Sequence, residues 1–497
     1  MLDRTATDWQ ALAGQLDIEG RAFINGRFVD ALSGATRPTV NPANGREIAE
    51  VALCGTEDAD VAVKGARAAF ESGAWSRMAP MDRKMVLVRW AELIEKNAEE
   101  LALLETLDVG KPISDTVNVD VPSAIRTIRW SGEAIDKVYD EIPPTPPDTL
   151  ALIRRLPLGV VTAIVPWNFP LSTTAWKLAP SLATGNSVVL KPASNTPLSA
   201  LFIARLAAEA GLPDGVLQVL PGPGGSLGKH LAMHMDIDGM TFTGSTPVGM
   251  KLMQYSGLSN LKRTFLELGG KSPNIVFADA DLEKAATMAA VAVFYNGGQT
   301  CTAGTRLIVE AKIMDRFLEM VTAKARGWMP GDPLDPGTAM GPMIDAAQCD
   351  TVAEYVDIGR GEGAEMLFGG QRVLQETGGH YFQPSIFAGV NNAMRIAQEE
   401  IFGPVLSVIP FTTAEEAVGI ANDSIYGLAG AVWSNNINTA HKVAEAVRVG
   451  TMGINNYFGG DITVPFGGFK QSGNGRDKSI HAFHDYTELK TTWIEFT

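Results

Sequence analysis

Cys301 stands in Asn296-Gly-Gly-Gln-Thr-Cys301-Thr-Ala-Gly304, among small and polar neighbours. Structural cysteines sit among large apolar side chains. Small neighbours and free backbone donors suit a nucleophile that a substrate must reach. The other two cysteines serve as controls. Cys54 lies in an apolar, strand-like run and Cys349 in a helical stretch, so both read as structural. A cysteine hydrolase needs a histidine partner. The six histidines are His230, His234, His380, His441, His481 and His484. None sits in a motif-like context, which leaves a carboxylate as the candidate base.

Glu267 lies in Leu266-Glu267-Leu268-Gly-Gly-Lys271. Desolvation between leucines raises a carboxyl toward the range of a useful base. Two other readings stay open: an acid past a glycine turn that binds a ribose, and an acid paired with Lys271. Asn168, in Pro166-Trp-Asn-Phe-Pro170, offers a side-chain amide that can donate to a developing oxyanion. The alternative for that segment is a structural turn. Thr243-Gly244-Ser245-Thr246 follows a strand and opens a helix, where backbone N–H groups and the helix N-terminus favour a phosphate. It is neither the Rossmann glycine fingerprint nor a Walker loop, and an ordinary N-cap by Ser245 or Thr246 competes with the phosphate reading. Lys191, in Lys191-Pro-Ala-Ser194, follows another strand. At such a strand end it suits a ribose hydroxyl or a phosphate. The rival is a solvated surface lysine.

The elements that position these residues are short apolar runs separated by helices. Val160–Val165, Ser187–Leu190, Val216–Val219 and Met240–Phe242 are predicted strands, with a helix over Leu198–Ala210 between two of them. This alternation predicts βαβ units on a parallel sheet. A second series comprises Asn274–Phe277, Arg306–Val309, Ser407–Pro410, Ala429–Trp433 and Thr451–Asn455. A boundary is expected within Glu267–Lys271. Asp82–Leu107 predicts one amphipathic helix with Met85, Val88, Leu93 and Leu101 on its packing face. After the stiff stretch of Pro143, Pro144, Pro146 and Pro147, the alternation in Leu150–Leu158 predicts an exposed strand or hairpin arm.

At 497 residues the chain is long enough for about three domains. A net charge of −15 argues against nucleic acid and against an anionic membrane surface. The most apolar window, Leu156–Trp167, holds two prolines and falls short of the ~20 residues a membrane helix needs. The opening MLDRTATDWQALAGQLDIEG carries acids and no apolar core, unlike a signal peptide. Three scattered cysteines make neither a disulfide framework nor a four-cysteine zinc site. The expected compartment is the cytoplasm, and no metal is expected. No repeat of fixed period is present.

In their order, PWNFP, KPAS, FTGST, LELGGK, GQTCTAG, EEIFGP and PFGGFKQSGNGR resemble the aldehyde dehydrogenase superfamily. The resemblance runs from Phe23-Ile-Asn-Gly26 to Tyr486-Thr-Glu-Leu-Lys490. It is closest to bacterial γ-glutamyl-γ-aminobutyraldehyde and guanidinobutyraldehyde dehydrogenases of polyamine and arginine catabolism, supported by residues 101–108, 133–137 and 473–479. It implies an α/β fold: an NAD(P)-binding domain of Rossmann type over 1–139 and 159–266, a catalytic domain over 267–480, and a small β oligomerisation arm over 140–158 and 481–497. It implies a homodimer or homotetramer that oxidises an aldehyde with NAD or NADP.

The roles implied by the resemblance are specific. Cys301 forms a thiohemiacetal and then a thioester. Asn168 and the Cys301 backbone N–H hold the oxyanion, and Glu267 activates the hydrolytic water. Lys177 and Asp477 lie on the proton path. Lys191 and Glu400 bind the two riboses, Phe402 packs near the nicotinamide, and Trp167 and Ser245 line the pyrophosphate and ribose region. Gly224 lines the adenine cleft, with Ile164, Val165, Ser194, Gly228, Gly244 and Leu268 as further cofactor contacts. Phe169, Trp176, Thr300, Thr302, Phe458 and Phe466 form the substrate tunnel, and Asp120 or Asp461 offers a counter-charge near its entrance. Two positions depart from the family pattern. Ser194 stands where NAD-preferring relatives carry Glu, and Phe458 where close relatives carry Asp or Asn. A broad-specificity aliphatic aldehyde dehydrogenase, a CoA-acylating dehydrogenase, a thioester hydrolase and a non-catalytic binding protein are the competing readings. Glu267 speaks against the acylating enzyme, which must avoid activating water.

Overall fold

Two seven-stranded sheets carry the molecule, and the chain passes from the first to the second immediately after Glu267. The computed structural model describes residues 4–496, so Met1–Asp3 and Thr497 of the expected domain ranges lie outside the described residues. In the first sheet the spatial order is Arg263–Glu267, Gly239–Thr243, Val160–Ile164, Ser187–Lys191, Leu217–Val219, Ala22–Ile24 and Arg27–Val29. The first five strands are parallel, and the last two join antiparallel at the edge. Four of the five parallel strands are buried almost throughout, whereas edge strand Arg263–Glu267 is buried only at Leu266 and Glu267. That explains why those four appear in sequence as unbroken apolar runs.

The chain enters the parallel part at its centre, with Val160–Ile164, moves outward one way, then returns to build the other side. The order therefore reverses between Val160–Ile164 and Gly239–Thr243. Loops beyond the carboxyl ends of strands at such a reversal enclose a crevice where ligands bind. The loops here are 165–170 and 244–246. Register aligns their roots: Ile164 is level with Lys191 and Phe242, and Glu267 with Thr243.

The second sheet runs Glu365–Phe368, Ser385–Ala388, Val405–Phe411, Arg306–Glu310, Pro273–Val276, Ala429–Trp433 and Thr451–Ile454, parallel except at Glu365–Phe368. Thr149–Pro157 pairs antiparallel with Thr487–Glu495 in a separate two-stranded arm. Leu489, Trp493 and Phe496 on this arm are exposed.

The expected helix over Asp82–Leu107 is two helices, Pro80–Lys96 and Ala98–Val109, broken at Asn97 (φ −105°, ψ 21°). The Asn97 side-chain amide donates to the Leu93 carbonyl at 2.8 Å, the local bonding by which asparagine competes with a helix interior. The packing face also differs. Leu87, Trp90, Ala91 and Ile94 form the buried stripe at helical spacing, and Met85 is exposed.

Candidate functional site

Helix Leu282–Phe294 ends in a turn that the sequence makes sharp. Asn296 (φ 51°), Gly297 (φ 62°) and Gly298 (φ 71°) all adopt left-handed backbone conformations. These redirect the chain through Cys301 into strand Arg306–Glu310. The approach is close: a Cβ on Gly270 would collide with the Cys301 carbonyl, and one on Gly298 with Gly403. Glycine at those positions lets the cysteine loop lie on the Leu268–Lys271 segment. Cys301 is half-buried, whereas Cys54 and Cys349 are buried, matching the contrast drawn from sequence. Its surroundings push the thiol up to about 12, burial first and then the nearby Glu400 and Glu267 charges; backbone N–H groups of Thr302 and of Cys301 itself oppose this.

The Asn168 side-chain amide reaches this loop and donates to the Gln299 carbonyl at 2.8 Å. Asn296 reciprocates by donating to the Asn168 carbonyl at 3.1 Å. Asn168 is thus a bridge between the two segments rather than an isolated turn residue.

Glu267 ends its strand at 2% exposure, and neither carboxylate oxygen has a hydrogen-bond partner. Burial holds its carboxyl well above the usual range, reinforced by Asp477 and opposed by Lys177 and Arg476. A Cβ on Gly467 would approach its Oε1 to 2.6 Å, so glycine there leaves room beside the carboxylate. Pairing of Glu267 with Lys271 does not occur, because the Lys271 Nζ is also buried without a partner. Lys177 pairs instead with Asp477, Nζ to Oδ2 at 2.6 Å. Asp477 exchanges backbone hydrogen bonds with Phe466, and the Phe466 ring lies 5.1 Å from Trp176.

On the crevice side, Lys191 is buried with its Nζ donating to the Pro192 carbonyl at 2.9 Å, not a solvated surface lysine. Burial lowers its ammonium to about 8. The Ser194 hydroxyl donates to Gly222 at 3.0 Å. Ser245 occupies the N-cap position of helix Thr246–Gly257, yet its side chain makes no capping bond and is exposed. A Cβ on Gly224 would meet no atom within 4 Å, and one on Gly228 would sit 3.7 Å from the Lys191 side chain and 3.9 Å from Ile164. Val165 and Leu268 are buried beside this edge. Glu400 accepts from the Gly270 N–H at 2.9 Å, and burial raises its carboxyl to about 7. Phe402 (φ 56°) packs edge-on against Trp167 at 5.2 Å.

The predicted tunnel residues fall into two aromatic groups. Phe169 stacks on Tyr295 at 6.2 Å, and Tyr295 meets Phe458 at 6.0 Å. Trp176 and Phe466 form the second group, with the Lys478 ammonium 5.5 Å and 5.9 Å from their ring centroids. Thr300 and Thr302 flank Cys301, and the Thr300 hydroxyl is buried without a partner.

Asp120 corrects the expectation of a charge at the entrance. Its side chain is fully buried and pairs with Lys111 at 2.9 Å, and the Lys111 ammonium lies 3.5 Å from the Phe169 ring centroid. An acid already paired behind an aromatic wall offers no open counter-charge. Asp461 is exposed and accepts from the Thr463 N–H at 2.8 Å. Sequence reasoning also missed Tyr295, which links the tunnel rings, and Tyr457, whose hydroxyl donates to the Thr302 carbonyl at 2.7 Å. Tyr295 directly precedes the Asn-Gly-Gly turn, a position that could have drawn attention to it.

Comparisons with known proteins identify the family. Residues 28–492 match the model of the aldehyde dehydrogenase family. The indole-3-acetaldehyde dehydrogenase AldA of P. syringae, solved as a mutant with NAD+ and IAA, superposes with a TM-score of 0.98 at 60% identity, covering 99% of this chain and all of that one. A γ-glutamyl-γ-aminobutyraldehyde dehydrogenase from Burkholderia cenocepacia matches at 54% identity with a TM-score of 0.98 and the same coverage. The NADP/NAD-dependent aldehyde dehydrogenase PuuC of Escherichia coli is 51% identical over 487 residues, 98% of each chain. With its α/β fold, its two sheets and a match along nearly its whole length, the chain belongs to the aldehyde dehydrogenase family.

Proposed function

We infer that the chain oxidises an aldehyde to its carboxylate, with NAD or NADP as acceptor and Cys301 as nucleophile. The observation that carries the reading is the pairing of an accessible cysteine, packed on the glycine turn after Glu267, with that buried and unpartnered carboxylate. Cys301 gives up its thiol proton to water, its sulfur adds to the carbonyl carbon, and the oxygen takes the negative charge. The Asn168 amide, released from Gln299, and the Cys301 N–H stabilise that oxygen. A nicotinamide cofactor held beside Lys191, Glu400 and the Phe402–Trp167 pair would supply the acceptor for the hydride on that carbon. The carbonyl re-forms as a thioester on Cys301. Glu267 takes a proton from water, the hydroxide adds to the thioester, and the thiolate departs. Lys177 and Asp477 lie where the proton leaves Glu267.

The cofactor residues fit such a group. Gly224 and Gly228 leave room for a ring, Ser245 has a free hydroxyl beside a helix N-terminus, and Lys191 and Glu400 supply opposite charges. The same reading divides the chain into a cofactor domain, a catalytic domain after Glu267 and an oligomerisation arm. The exposed apolar side chains of that arm support a homodimer or homotetramer. No helix among the described residues is long and apolar enough to cross a membrane, and the reading places the enzyme in the cytoplasm.

The name of the Burkholderia cenocepacia relative supports an acylaminoaldehyde as substrate. A second reading, an arylacetaldehyde or another uncharged aldehyde, is favoured by the aromatic groups around Tyr295 and Trp176 and by the Lys478 ammonium. Steady-state assays over aminobutyraldehyde, its γ-glutamyl amide, butyraldehyde and indole-3-acetaldehyde, each with both cofactors, test both. Reduced cofactor with none of them would refute the functional assignment.

A further inference from the structure

Away from the Cys301 crevice, three side chains with metal-ligating atoms converge. His230 lies in helix Lys229–Met233, and His234 is the residue that ends it. Four-residue spacing brings two helical side chains to one face, the arrangement by which paired histidines grip a metal. Asp60, from helix Thr56–Ser72, reaches the same point. Its Oδ1 lies 2.6 Å from His230 Nε2 and 3.5 Å from His234 Nε2. One ligand atom from each residue lies within 4.8 Å of the other two, the only such group among the described residues. The two imidazoles meet at 80° with centroids 5.7 Å apart, so they do not stack. Both are partly exposed, and an ion can enter from solvent.

The geometry points to a binding site for one divalent late transition-metal ion of the zinc class, held by His230 Nε2, His234 Nε2 and Asp60 Oδ1. Two imidazoles and one carboxylate suit zinc, nickel or copper, whereas magnesium and calcium prefer oxygen donors. Bonds of about 2.0–2.2 Å to a tetrahedral ion put its ligand atoms roughly 3.3 Å apart. Small side-chain rotations reach that separation from the distances here, and water completes the fourth position.

One contact must give way. The Asp236 N–H donates to His234 Nδ1 at 3.1 Å. An ion on Nε2 moves the ring proton to Nδ1 and breaks that bond. Met235 and Asp236 are exposed, so the freed N–H turns to water, at a cost of about tenfold in affinity. The helix carrying both histidines continues directly from the Gly224–Gly228 turn. A bound ion therefore ties that turn to the helix of Asp60.

Calorimetric titration of zinc into the full chain tests this, with Cys301→Ser removing the accessible thiol. The expected result is one zinc per chain in the micromolar range or tighter. His230→Ala and His234→Ala should each weaken binding at least about tenfold, and Asp60→Asn should weaken it less. In the Cys301 background the same histidine variants should keep dehydrogenase activity, which shows that they fold. Zinc should also raise the Tm of the Cys301→Ser protein and not that of its histidine variants. Absence of saturable zinc binding, or binding that survives both histidine substitutions, would overturn the site.

Discussion

The Lys177 Nζ lies 2.6 Å from the Asp477 Oδ2, in an ion pair at 1% and 5% side-chain exposure that joins positions 300 residues apart. Lys177 comes from helix Pro170–Ala183, which begins two residues after Asn168, and Asp477 from the loop bonded to Phe466. Both charges act on Glu267 in opposite senses. The pair therefore fixes the electrostatic setting of the proposed base and ties the amide-bearing segment to the far wall. Removing one partner of such a buried pair typically costs about 3–5 kcal/mol.

Cys301→Ala should abolish aldehyde oxidation while the fold and cofactor binding persist. Loss of an essential nucleophile lowers kcat by at least about ten-thousandfold. Circular dichroism and cofactor fluorescence check the intact protein. A loss limited to about tenfold would remove Cys301 from the nucleophile's role.

The tunnel should prefer an uncharged or amide-bearing tail over a free ammonium. Phe458 and Tyr295 present aromatic surface, and Lys478 adds a positive charge near Trp176. Burying an unpaired ammonium there is costly. Butyraldehyde should exceed aminobutyraldehyde in kcat/KM, and Phe458→Asp should move the ratio toward the amine by about tenfold. A strong preference of the unaltered enzyme for the amine would refute this.

Ser194→Glu should shift cofactor choice toward NAD. A carboxylate at 194 accepts from the adenosine ribose and repels a 2′-phosphate. The present hydroxyl bonds to Gly222 and repels neither cofactor. A charge-assisted hydrogen bond is worth roughly 1.5–3 kcal/mol, so the kcat/KM ratio should move about 10- to 150-fold. An unmoved ratio would place residue 194 away from the ribose.

The NADP-to-NAD ratio should also depend on pH. Burial lowers the Lys191 ammonium to about 8, so its charge is present below pH 8 and lost as pH rises through that value. Because kcat/KM reports the free enzyme, the ratio should fall above pH 8 as the partner of the 2′-phosphate is neutralised. A ratio constant to pH 10 would show that Lys191 does not meet the phosphate.

Much of this was legible in the residues because local rules and tertiary structure agree. Most parallel strands are covered on both faces and so appear as unbroken apolar runs, with predicted ends that shift by only one or two residues, but Arg263–Glu267 and Ser385–Ala388 are absent from the predicted strands. Cys301 stood out because its neighbours are small, for the reason the structure shows: the loop packs on Gly270. What stayed hidden depends on distant partners. Met85 has the right spacing for a core face, yet the helix buries Leu87 and Trp90, a choice made by what packs against it. Asp120 reads as an available acid until Lys111 is seen beside it. His230 and His234 show their spacing in sequence, but Asp60 is 170 residues away.

The central claim is that Cys301 carries the acyl group and Glu267 releases it. Rapid mixing of Glu267→Gln with aldehyde and NAD tests this most directly. Gln keeps the shape and removes the proton acceptor. The account predicts one burst of reduced cofactor per active site, followed by slow turnover limited by thioester hydrolysis. Absence of the burst would show that Glu267 acts before hydride transfer, and steady turnover at the unaltered rate would show that it activates no water; either result contradicts the account.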